Sequence, residues 1–348
     1  MLKTIIAGPC SVESRQQLQS VVEALCHIPH VQLVRGGVWK PRTRPGGFEG
    51  LGEPALQWMK EIADSDIRMA DGSPVRFCCE VARPEHVELC HQYAVHDVWL
   101  GARTTANPFM VEELCNALRG SGMNVMVKNP LSPDVRLWMG AVERLQQCGV
   151  TVSAAIHRGF SMYDNHGYRN DPLWEVPMEL RRLQPDLPIL CDPSHIAGSS
   201  SLVPSVARAA MQLAFDGLML EVHPSPEMAL TDAVQQLTPE GVASMLHTLN
   251  ATAEGVVSDQ ISAELALLRG KIDGVDRQLL QLLVQRMQCS RQIAELKRQS
   301  GMAVYQSDRW AEVVDDRLRQ AGELGLDTTF IKELLEKIHG ESVRIQMD

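Results

Sequence analysis

Short apolar runs alternate with amphipathic segments along the first 250 residues of the chain. Eight such runs occur, at 3–8, 31–36, 75–80, 97–101, 124–129, 151–156, 188–192 and 217–222. Segments of helical periodicity lie between them, among them 14–28, 108–120, 134–149 and 203–215. Because strand–helix alternation is typical of a parallel sheet, the pattern predicts an α/β protein with a (β/α)8 TIM barrel over residues 1–250. A doubly wound open sheet is the alternative, although no G-x-G-x-x-G motif follows the first run.

The pattern changes after residue 250. Residues 251–260 are small and polar and predict a linker, whereas 261–348 predict a small all-α domain with helices at 261–300, 307–321 and 328–346. The first helix carries an apolar stripe of Ile261, Leu265, Leu268, Ile272, Val275, Leu279, Leu282, Leu283, Met287, Ile293 and Leu296. A helix of this length would span about 60 Å. The two shorter helices that follow cannot cover its apolar stripe over that whole length. We therefore expect a homodimer formed through this domain, although Gly270 and Gly274 oppose a continuous helix.

Composition limits the class of protein. The chain has 348 residues, 45% of them apolar, and a formal net charge of -10, which favours a globular protein over one that binds nucleic acid. The N-terminus has too short an apolar core for a signal peptide, and no apolar run is long enough to cross a membrane. Nine cysteines, an odd number without framework spacing, indicate reduced thiols and a cytoplasmic protein.

Potential metal ligands follow three of the predicted strands. Cys10 comes after the first run and His195 after the seventh, while Glu221 ends the eighth and Asp232 lies in the loop beyond it. Barrel closure makes the first strand a neighbour of the eighth, so these side chains are expected at one mouth. A thiolate, an imidazole and two carboxylates predict a divalent-metal site that suits manganese, iron, cobalt or zinc. The alternative is a buried cysteine, a core histidine and two surface carboxylates.

Cations follow the remaining strands. They are Arg35, Lys40, Arg103, Lys128 and Arg158, and the first two lie in the loop RGGVWKPRTRPGG at 35–47. Like charges that share a pocket repel one another unless anions occupy it, and arginine binds phosphate or carboxylate through its planar fork. The pattern predicts a pocket for two phosphorylated substrates, or for one phosphate with a carboxylate plus a second phosphate. A solvated basic rim is the alternative.

These motifs resemble those of the metal-dependent 3-deoxy-D-arabino-heptulosonate 7-phosphate (DAHP) synthases. The match runs in order over residues 1–235, through GPCS, RGGVWKPRT, GART, VKN, HRG, DPSH and EVHP. The resemblance implies condensation of phosphoenolpyruvate with erythrose 4-phosphate and water to give DAHP and phosphate. It implies one divalent ion per barrel, with Mn²⁺ expected and Fe²⁺, Co²⁺ or Zn²⁺ as alternatives, held by Cys10, His195, Glu221 and Asp232.

The same resemblance implies the binding residues for both substrates. Phosphoenolpyruvate is expected to contact Arg35, Lys40, Arg103, Lys128 and Arg158. Erythrose 4-phosphate is expected to contact Lys40, Arg42 and Thr43 of the KPRT motif. Lys40 and His195 are the expected catalytic residues, and Glu80 is a further candidate for proton transfer. The alternative outside the class of enzymes is a non-catalytic scaffold that binds a metal ion.

Residues 261–348 resemble the all-helical bacterial chorismate mutases, through LRGKIDGVD, VQRM, ELK and ESVRIQ. The resemblance implies rearrangement of chorismate to prephenate in a site built from Arg269, which reaches the partner's site, and Arg286, Lys297, Arg309, Ser342 and Gln346. Lys297 and Gln346 are the expected catalytic residues, since they would meet the ether oxygen that gathers negative charge. Gln306 and Trp310 depart from the family, which has carboxylates at both positions.

Regulation is expected to run through the C-terminal domain. The first predicted strand begins at residue 3, so we expect no upstream regulatory domain. Chorismate or prephenate bound at 261–348 is therefore the expected feedback signal to the barrel. Two alternatives keep the synthase alone active: a mutase-like sensor without fast turnover, and a bundle that serves only for dimerisation.

Overall fold

A computed structural model describes residues 4–40, 46–163, 167–253 and 259–347. The chain divides into two compact units, Met1–Glu254 and Gly255–Asp348. Among the described residues of the first unit, parallel strands form one closed barrel in the order β1 to β8. They are β1 Thr4–Gly8, β2 Val31–Arg35, β3 Phe77–Val81, β4 Asp97–Leu100, β5 Asn124–Lys128, β6 Thr151–His157, β7 Ile189–Cys191 and β8 Gly217–Glu221. The predicted barrel is confirmed, and the open-sheet alternative is wrong.

Barrel closure depends on pairing between the first and last strands. Strand β1 pairs in parallel with β8 over its whole length, and Gly8 lies opposite Glu221 at the carboxyl end. This register puts the first residue of the GPCS motif beside a predicted metal ligand. The carboxyl ends of all eight strands therefore meet at one mouth.

Helices surround this barrel. They are α1 Arg15–Leu25, α2 Glu53–Ala63, α3 Pro84–Gln92, α4 Ala102–Thr105, α5 Pro108–Leu118, α6 Val135–Gln147, α7 Glu175–Leu183, α8 Pro193–Ala197, α9 Val203–Gln212 and α10 Pro239–Ala253. Side-chain caps fix several starts, because Ser14, Asn107 and Asp134 accept hydrogen bonds from the first free amides of α1, α5 and α6.

Two apolar layers hold the barrel. The larger lies between the strands and the surrounding helices. The smaller fills the barrel interior with side chains from all eight strands, namely Ile6, Leu33, Cys78, Trp99, Met126, Ala154, Ile156, Leu190 and Met219. A filled interior leaves the carboxyl-end mouth as the place where polar side chains meet.

The second unit consists of α11 Asp259–Ser300, α12 Ser307–Glu323 and α13 Thr328–Met347. Helix α11 continues through Gly270 and Gly274, and α13 packs along both α11 and α12. The predicted linker at 251–260 is too long at both ends, because α10 runs to Ala253 and α11 begins at Asp259. Alanine is a strong helix former, which explains why α10 extends past residue 250.

Much of the predicted apolar stripe of α11 is exposed within this chain. Ile272 and Leu282 are each 59% exposed, and Leu296 is 64% exposed. Within the described residues, no helix combines the length and apolar character that crossing a bilayer requires.

Candidate active sites

Two glycines bring the ends of β1 and β2 together. A Cβ atom on Gly8 would lie 2.1 Å from the carbonyl oxygen of Arg35, and one on Gly37 would lie 2.0 Å from that of Cys10. Neither position accepts a side chain, so the backbone of the RGG segment packs directly against the GPCS loop. As a result the amine of Lys40 reaches the thiol of Cys10, with Nζ 3.0 Å from Sγ.

Three predicted metal ligands form a compact cluster. One donor atom each from Cys10, Glu221 and Asp232 lies within 4.8 Å of the others. The Cys10 thiol donates to Asp232 Oδ2 at 3.3 Å. Cys10 and Glu221 are buried, and Asp232 is partly buried. These donors come from the loop after β1, from β8 and from the loop after β8, as barrel closure predicts.

His195 lies beside this cluster rather than within it. Its Nε2 is 3.8 Å from Glu221 Oε1, but the group of donors that lie within 4.8 Å of one another does not include it. Its other nitrogen, Nδ1, lies 2.8 Å from Asp192 Oδ2, off the ideal direction of a hydrogen bond. Burial lowers the pKa of His195, so the imidazole is neutral near pH 7, the form that binds a metal.

The donor set fits a divalent ion. Burial, with the charge of Glu221, raises the pKa of the Cys10 thiol to about 12, which only a strong cation would overcome. The pKa of Glu221 is lowered despite its burial, because His195 and Arg35 favour the carboxylate. One sulfur and two carboxylate oxygens, with a neutral imidazole alongside, suit an ion of borderline softness.

A solvent-open pocket lies over this cluster and encloses about 900 Å³, part of it open solvent. The predicted cations that line it are Lys40, Arg103, Lys128 and Arg158, and His195 and Asp232 line it as well. The structure therefore brings four of the five predicted substrate cations and two of the predicted metal ligands to one cavity. A solvated basic rim does not describe Lys128 and Arg158, which are buried.

Arg35, the fifth cation, lies in the buried layer near this pocket. It is 1% exposed, and its Nη2 pairs with Glu221 Oε1 at 3.0 Å. Among the described residues, its Nε and Nη1 atoms have no hydrogen-bond partner. Trp99 lies beneath it, with the ring centroid 5.2 Å from the guanidinium carbon and 5.6 Å from Lys128 Nζ. Two buried donors without partners are suited to an anionic substrate.

Arg158 is held by amide side chains. Its Nη1 donates to Asn170 Oδ1 at 2.7 Å, and its backbone amide donates to Asn129 Oδ1 at the same distance. Burial lowers the pKa of Arg158 to about 10, so the guanidinium still carries its charge at pH 7.

Three residues absent from the sequence prediction contact the predicted metal ligands. Asp192 lies against His195, Gln235 Nε2 donates to Glu221 Oε2 at 2.5 Å, and Arg169 pairs with Asp232 Oδ1 at 2.9 Å. His195 and Lys128 hold the pKa of Asp192 well below its usual range, although burial opposes this. Only Asp192 carried a sequence signal, because it precedes His195 in the DPSH motif.

Other residues of the predicted motifs are placed as follows. Arg42 and Thr43 lie outside the described residues. Glu80 lines the pocket and accepts a hydrogen bond from Trp99 Nε1 at 3.1 Å. His157, from the HRG motif, faces the outer layer and contacts the rings of Trp174 and Phe215. Burial lowers its pKa to about 3, so it is a neutral core residue.

The second unit gathers several of its predicted residues between α11 and α13. Arg286 Nη1 contacts Ser342 Oγ, and Gln346 Nε2 donates to the Ser342 carbonyl at 3.2 Å. Lys297 Nζ donates to the carbonyl of Val304 at 2.6 Å. Arg309 is an exposed residue of α12 paired with Glu312, and Arg269 is exposed on α11.

An aromatic stack stands beside these cations. The ring of Trp310 lies 3.8 Å from that of His339, with an interplanar angle of 14°. Burial and then the charges of Arg286 and Lys297 lower the pKa of His339. Gln306 precedes α12 and caps it without a side-chain hydrogen bond. His339 was not predicted, because its place beside the cations depends on how α12 and α13 pack.

The barrel matches known proteins along its whole length. Residues 2–257 match the family model described as the DAHP synthetase I family. A curated relative, phospho-2-dehydro-3-deoxyheptonate aldolase of Thermotoga maritima, is 30% identical over 253 residues, which cover 73% of this chain and 70% of the relative. The crystal structure of the Thermotoga maritima DAHP synthase superposes with a TM-score of 0.63 at 31% identity and covers 72% of this chain and 69% of that one.

The helical unit matches a different family. Residues 268–347 match the family model described as chorismate mutase type II. The T-protein of Enterobacter agglomerans is 34% identical over 86 residues, which cover 25% of this chain and 23% of that protein.

Proposed function

Because the chain belongs to the DAHP synthetase I family and carries a type II chorismate mutase domain, we propose that it catalyses one reaction in each unit. The barrel condenses phosphoenolpyruvate with erythrose 4-phosphate and water to DAHP and phosphate. The helical unit rearranges chorismate to prephenate. The observation that carries the first assignment is the meeting of metal donors and substrate cations at one mouth of the barrel.

Phosphoenolpyruvate occupies the cationic part of the pocket in this proposal. Arg103, Lys128 and Arg158 line the cavity, and Arg35 has two buried donors without a partner among the described residues. The phosphate and carboxylate need several charged donors, and fixing both groups orients the enol carbon. Erythrose 4-phosphate enters beside Lys40, with Arg42 and Thr43 of the KPRT motif as its phosphate ligands.

Cys10, His195, Glu221 and Asp232 hold the divalent ion in this proposal, with Mn²⁺ as the expected metal. When bound, such an ion acts as a Lewis acid toward the aldehyde oxygen of erythrose 4-phosphate. The enol carbon of phosphoenolpyruvate forms a bond to the aldehyde carbon, and the aldehyde oxygen takes up a proton. Water adds at C2 of phosphoenolpyruvate and loses its protons as the bond between C2 and the phosphate oxygen breaks, which releases phosphate and leaves the keto group of DAHP. Lys40 Nζ faces the pocket 3.0 Å from Cys10 Sγ, where it is suited to proton transfer, and His195 is the second candidate.

The helical unit needs no nucleophile for its reaction. Arg286, together with Arg309 and a partner chain's arginine at position 269, holds the two carboxylates of chorismate. Lys297 and Gln346 donate to the ether oxygen, which gains negative charge in the transition state. The cluster of Arg286, Ser342 and Gln346 between α11 and α13 supports this assignment.

A homodimer formed through the helical unit completes the proposal. The exposed apolar residues of α11 extend from Leu265 to Leu296, and soluble proteins rarely leave such a stripe in water. A second copy of the unit would cover it. The nine cysteines are free thiols, which supports a cytoplasmic protein.

Metal depletion of one protein sample tests both assignments. Phosphate release from phosphoenolpyruvate and erythrose 4-phosphate is expected to stop when a chelator is added. Prephenate formation is expected to continue, because the proposed metal ligands all lie in the barrel. Loss of both activities would contradict two independent sites.

The helical unit also serves as feedback receptor in this proposal, with chorismate or prephenate as the signal. Phosphate release by the full chain is expected to fall when prephenate is added, while a chain that ends after Glu254 is expected to be insensitive. Equal sensitivity of both chains would refute the receptor role. A helical unit that inhibits the synthase but forms no prephenate would favour the sensor alternative.

A further inference from the structure

Asp192 is a buried carboxylate shared between the two halves of the barrel site. It follows β7, has no exposed surface, and contacts two residues that line the pocket. Its Oδ2 atom is 2.7 Å from Lys128 Nζ and 2.8 Å from His195 Nδ1. Its Oδ1 accepts a hydrogen bond from the backbone amide of His195 at 3.1 Å. One oxygen atom therefore contacts both a proposed substrate cation and a proposed metal ligand.

The contact with His195 fixes which imidazole nitrogen faces the metal donors. Because Nδ1 faces Asp192, Nε2 is turned toward Glu221 at 3.8 Å. A carboxylate behind a histidine favours the tautomer with the proton on the nitrogen that faces it, here Nδ1, and makes the opposite nitrogen, here Nε2, a stronger donor to a metal. Asp192 thus sets both the direction and the basicity of His195.

The contact with Lys128 makes the influence of Asp192 on His195 depend on whether an anion occupies the pocket. The Lys128 ammonium group and the neutral His195 imidazole contact the same Oδ2 atom, so a stronger interaction with one of them weakens the interaction with the other. A phosphate or carboxylate that binds Lys128 from the pocket side draws the ammonium group away from Asp192. More of the negative charge on Oδ2 is then available to His195.

We infer that Asp192 couples occupancy of the anion pocket to the affinity of His195 for the metal ion. It acts as a positioning residue, and the inference rests on the proposed synthase function. Binding of phosphoenolpyruvate at Lys128 is expected to tighten metal binding through Asp192. By linkage, the metal tightens phosphoenolpyruvate binding by the same factor.

A double-mutant cycle on the full chain tests this coupling without catalysis. The readout is Mn²⁺ affinity, measured from the electron paramagnetic resonance of free Mn²⁺. Asp192→Asn is expected to weaken Mn²⁺ binding by about 10- to 100-fold. Lys128→Met removes a positive charge near the metal donors both in the wild type and in Asp192→Asn. The direct effect of this charge on Mn²⁺ affinity is therefore the same in both and cancels in the cycle. The remaining non-additivity is expected to be about threefold or more, with Lys128→Met tightening Mn²⁺ most when Asp192 is present.

The effect of phosphoenolpyruvate on Mn²⁺ affinity provides the second measurement. The tightening seen in wild type is expected to shrink in Asp192→Asn and, by the same route, in His195→Gln. The second variant leaves Asp192 in place and removes the imidazole through which it acts, so full coupling retained in His195→Gln would refute this route even if Asp192→Asn does not fold. Asp216→Asn is the matched control, since Asp216 pairs with Arg181 at the opposite ends of the strands. This control is expected to keep the wild-type coupling.

The outcomes separate the inference from the proposed function. If wild type binds Mn²⁺ and phosphoenolpyruvate but the cycle is additive and both variants keep full coupling, the role of Asp192 is refuted and the synthase assignment stands. If wild type binds neither ligand, both are overturned.

Discussion

Arg35 and Glu221 form a buried ion pair, with Nη2 3.0 Å from Oε1, that joins the end of β2 to the end of β8. A proposed substrate cation thus contacts a proposed metal ligand. The pair links the proposed anion pocket to the proposed metal site. Because both side chains are buried from water, each charge depends on the other for its stabilisation.

Removal of one member of this pair is expected to destabilise the barrel. Arg35→Met leaves the Glu221 carboxylate buried without its closest cation and should lower the free energy of unfolding by about 3 kcal/mol. The double variant Arg35→Met with Glu221→Gln should recover part of that loss, since no buried charge is left unpaired. Urea unfolding of the three proteins measures both effects, and equal stability of the wild type and single variant would contradict them.

The stability of the barrel is expected to depend on pH through His157. Its pKa is about 3 in the folded chain, below the ordinary value of about 6.5, so the unfolded chain binds more protons between these values. Stability contributed by the neutral imidazole is therefore lost as pH falls below about 6.5. His157→Phe keeps an aromatic ring without a proton site, and should reduce the loss between pH 7 and pH 5 by about 2 kcal/mol. An unchanged pH dependence of urea unfolding would show that His157 takes up no proton on unfolding.

The proposed dimer is expected to share its mutase sites. Arg269→Ala and Arg286→Ala should each abolish prephenate formation, because both arginines bind a substrate carboxylate. In mixed dimers one site regains a full set of residues, so mixing the two inactive chains should restore part of the activity. The control is each variant mixed with itself, and absence of recovery in proven mixed dimers would argue against a shared site.

Trp310 is expected to limit the mutase reaction. Its ring covers His339 beside Arg286 and Lys297, and an indole offers no hydrogen-bond acceptor to the hydroxyl of chorismate. Trp310→Glu supplies an acceptor and a counter-charge there, and should raise kcat/KM for chorismate about tenfold. Trp310→Gln, which adds an acceptor without charge, separates the two contributions. A drop in kcat/KM with Trp310→Glu would indicate that the stack itself supports turnover.

Sequence periodicity predicted the barrel because each strand and helix buries its own apolar face, which is a local property. All eight strands and the three C-terminal helices occur where the pattern indicated. The candidate site followed from topology, since closure of β1 against β8 brings Cys10 to Glu221. The predicted linker was longer than the observed one, because the helical preference of alanine extends α10 past residue 250.

The residues that the sequence did not predict make contacts that depend on where the folded barrel places their side chains. Arg169 and Gln235 contact the proposed metal ligands Asp232 and Glu221 from connecting segments whose course depends on the assembled barrel. His157 ends β6 like the predicted site residues, but strand alternation turns Ile156 to the barrel interior and His157 to the outer layer. The register of a strand decides which of its last residues faces the mouth. The motifs alone do not reveal that register.

Metal titration of the chelated full chain tests whether the metal donors and the substrate cations at one mouth perform a single reaction. Phosphate release is followed with phosphoenolpyruvate and erythrose 4-phosphate present while Mn²⁺ is added back. We expect no release without Mn²⁺ or without either substrate, and a rate that saturates at one ion per chain. Release at the full rate in the chelated protein, or with erythrose 4-phosphate omitted, would contradict it.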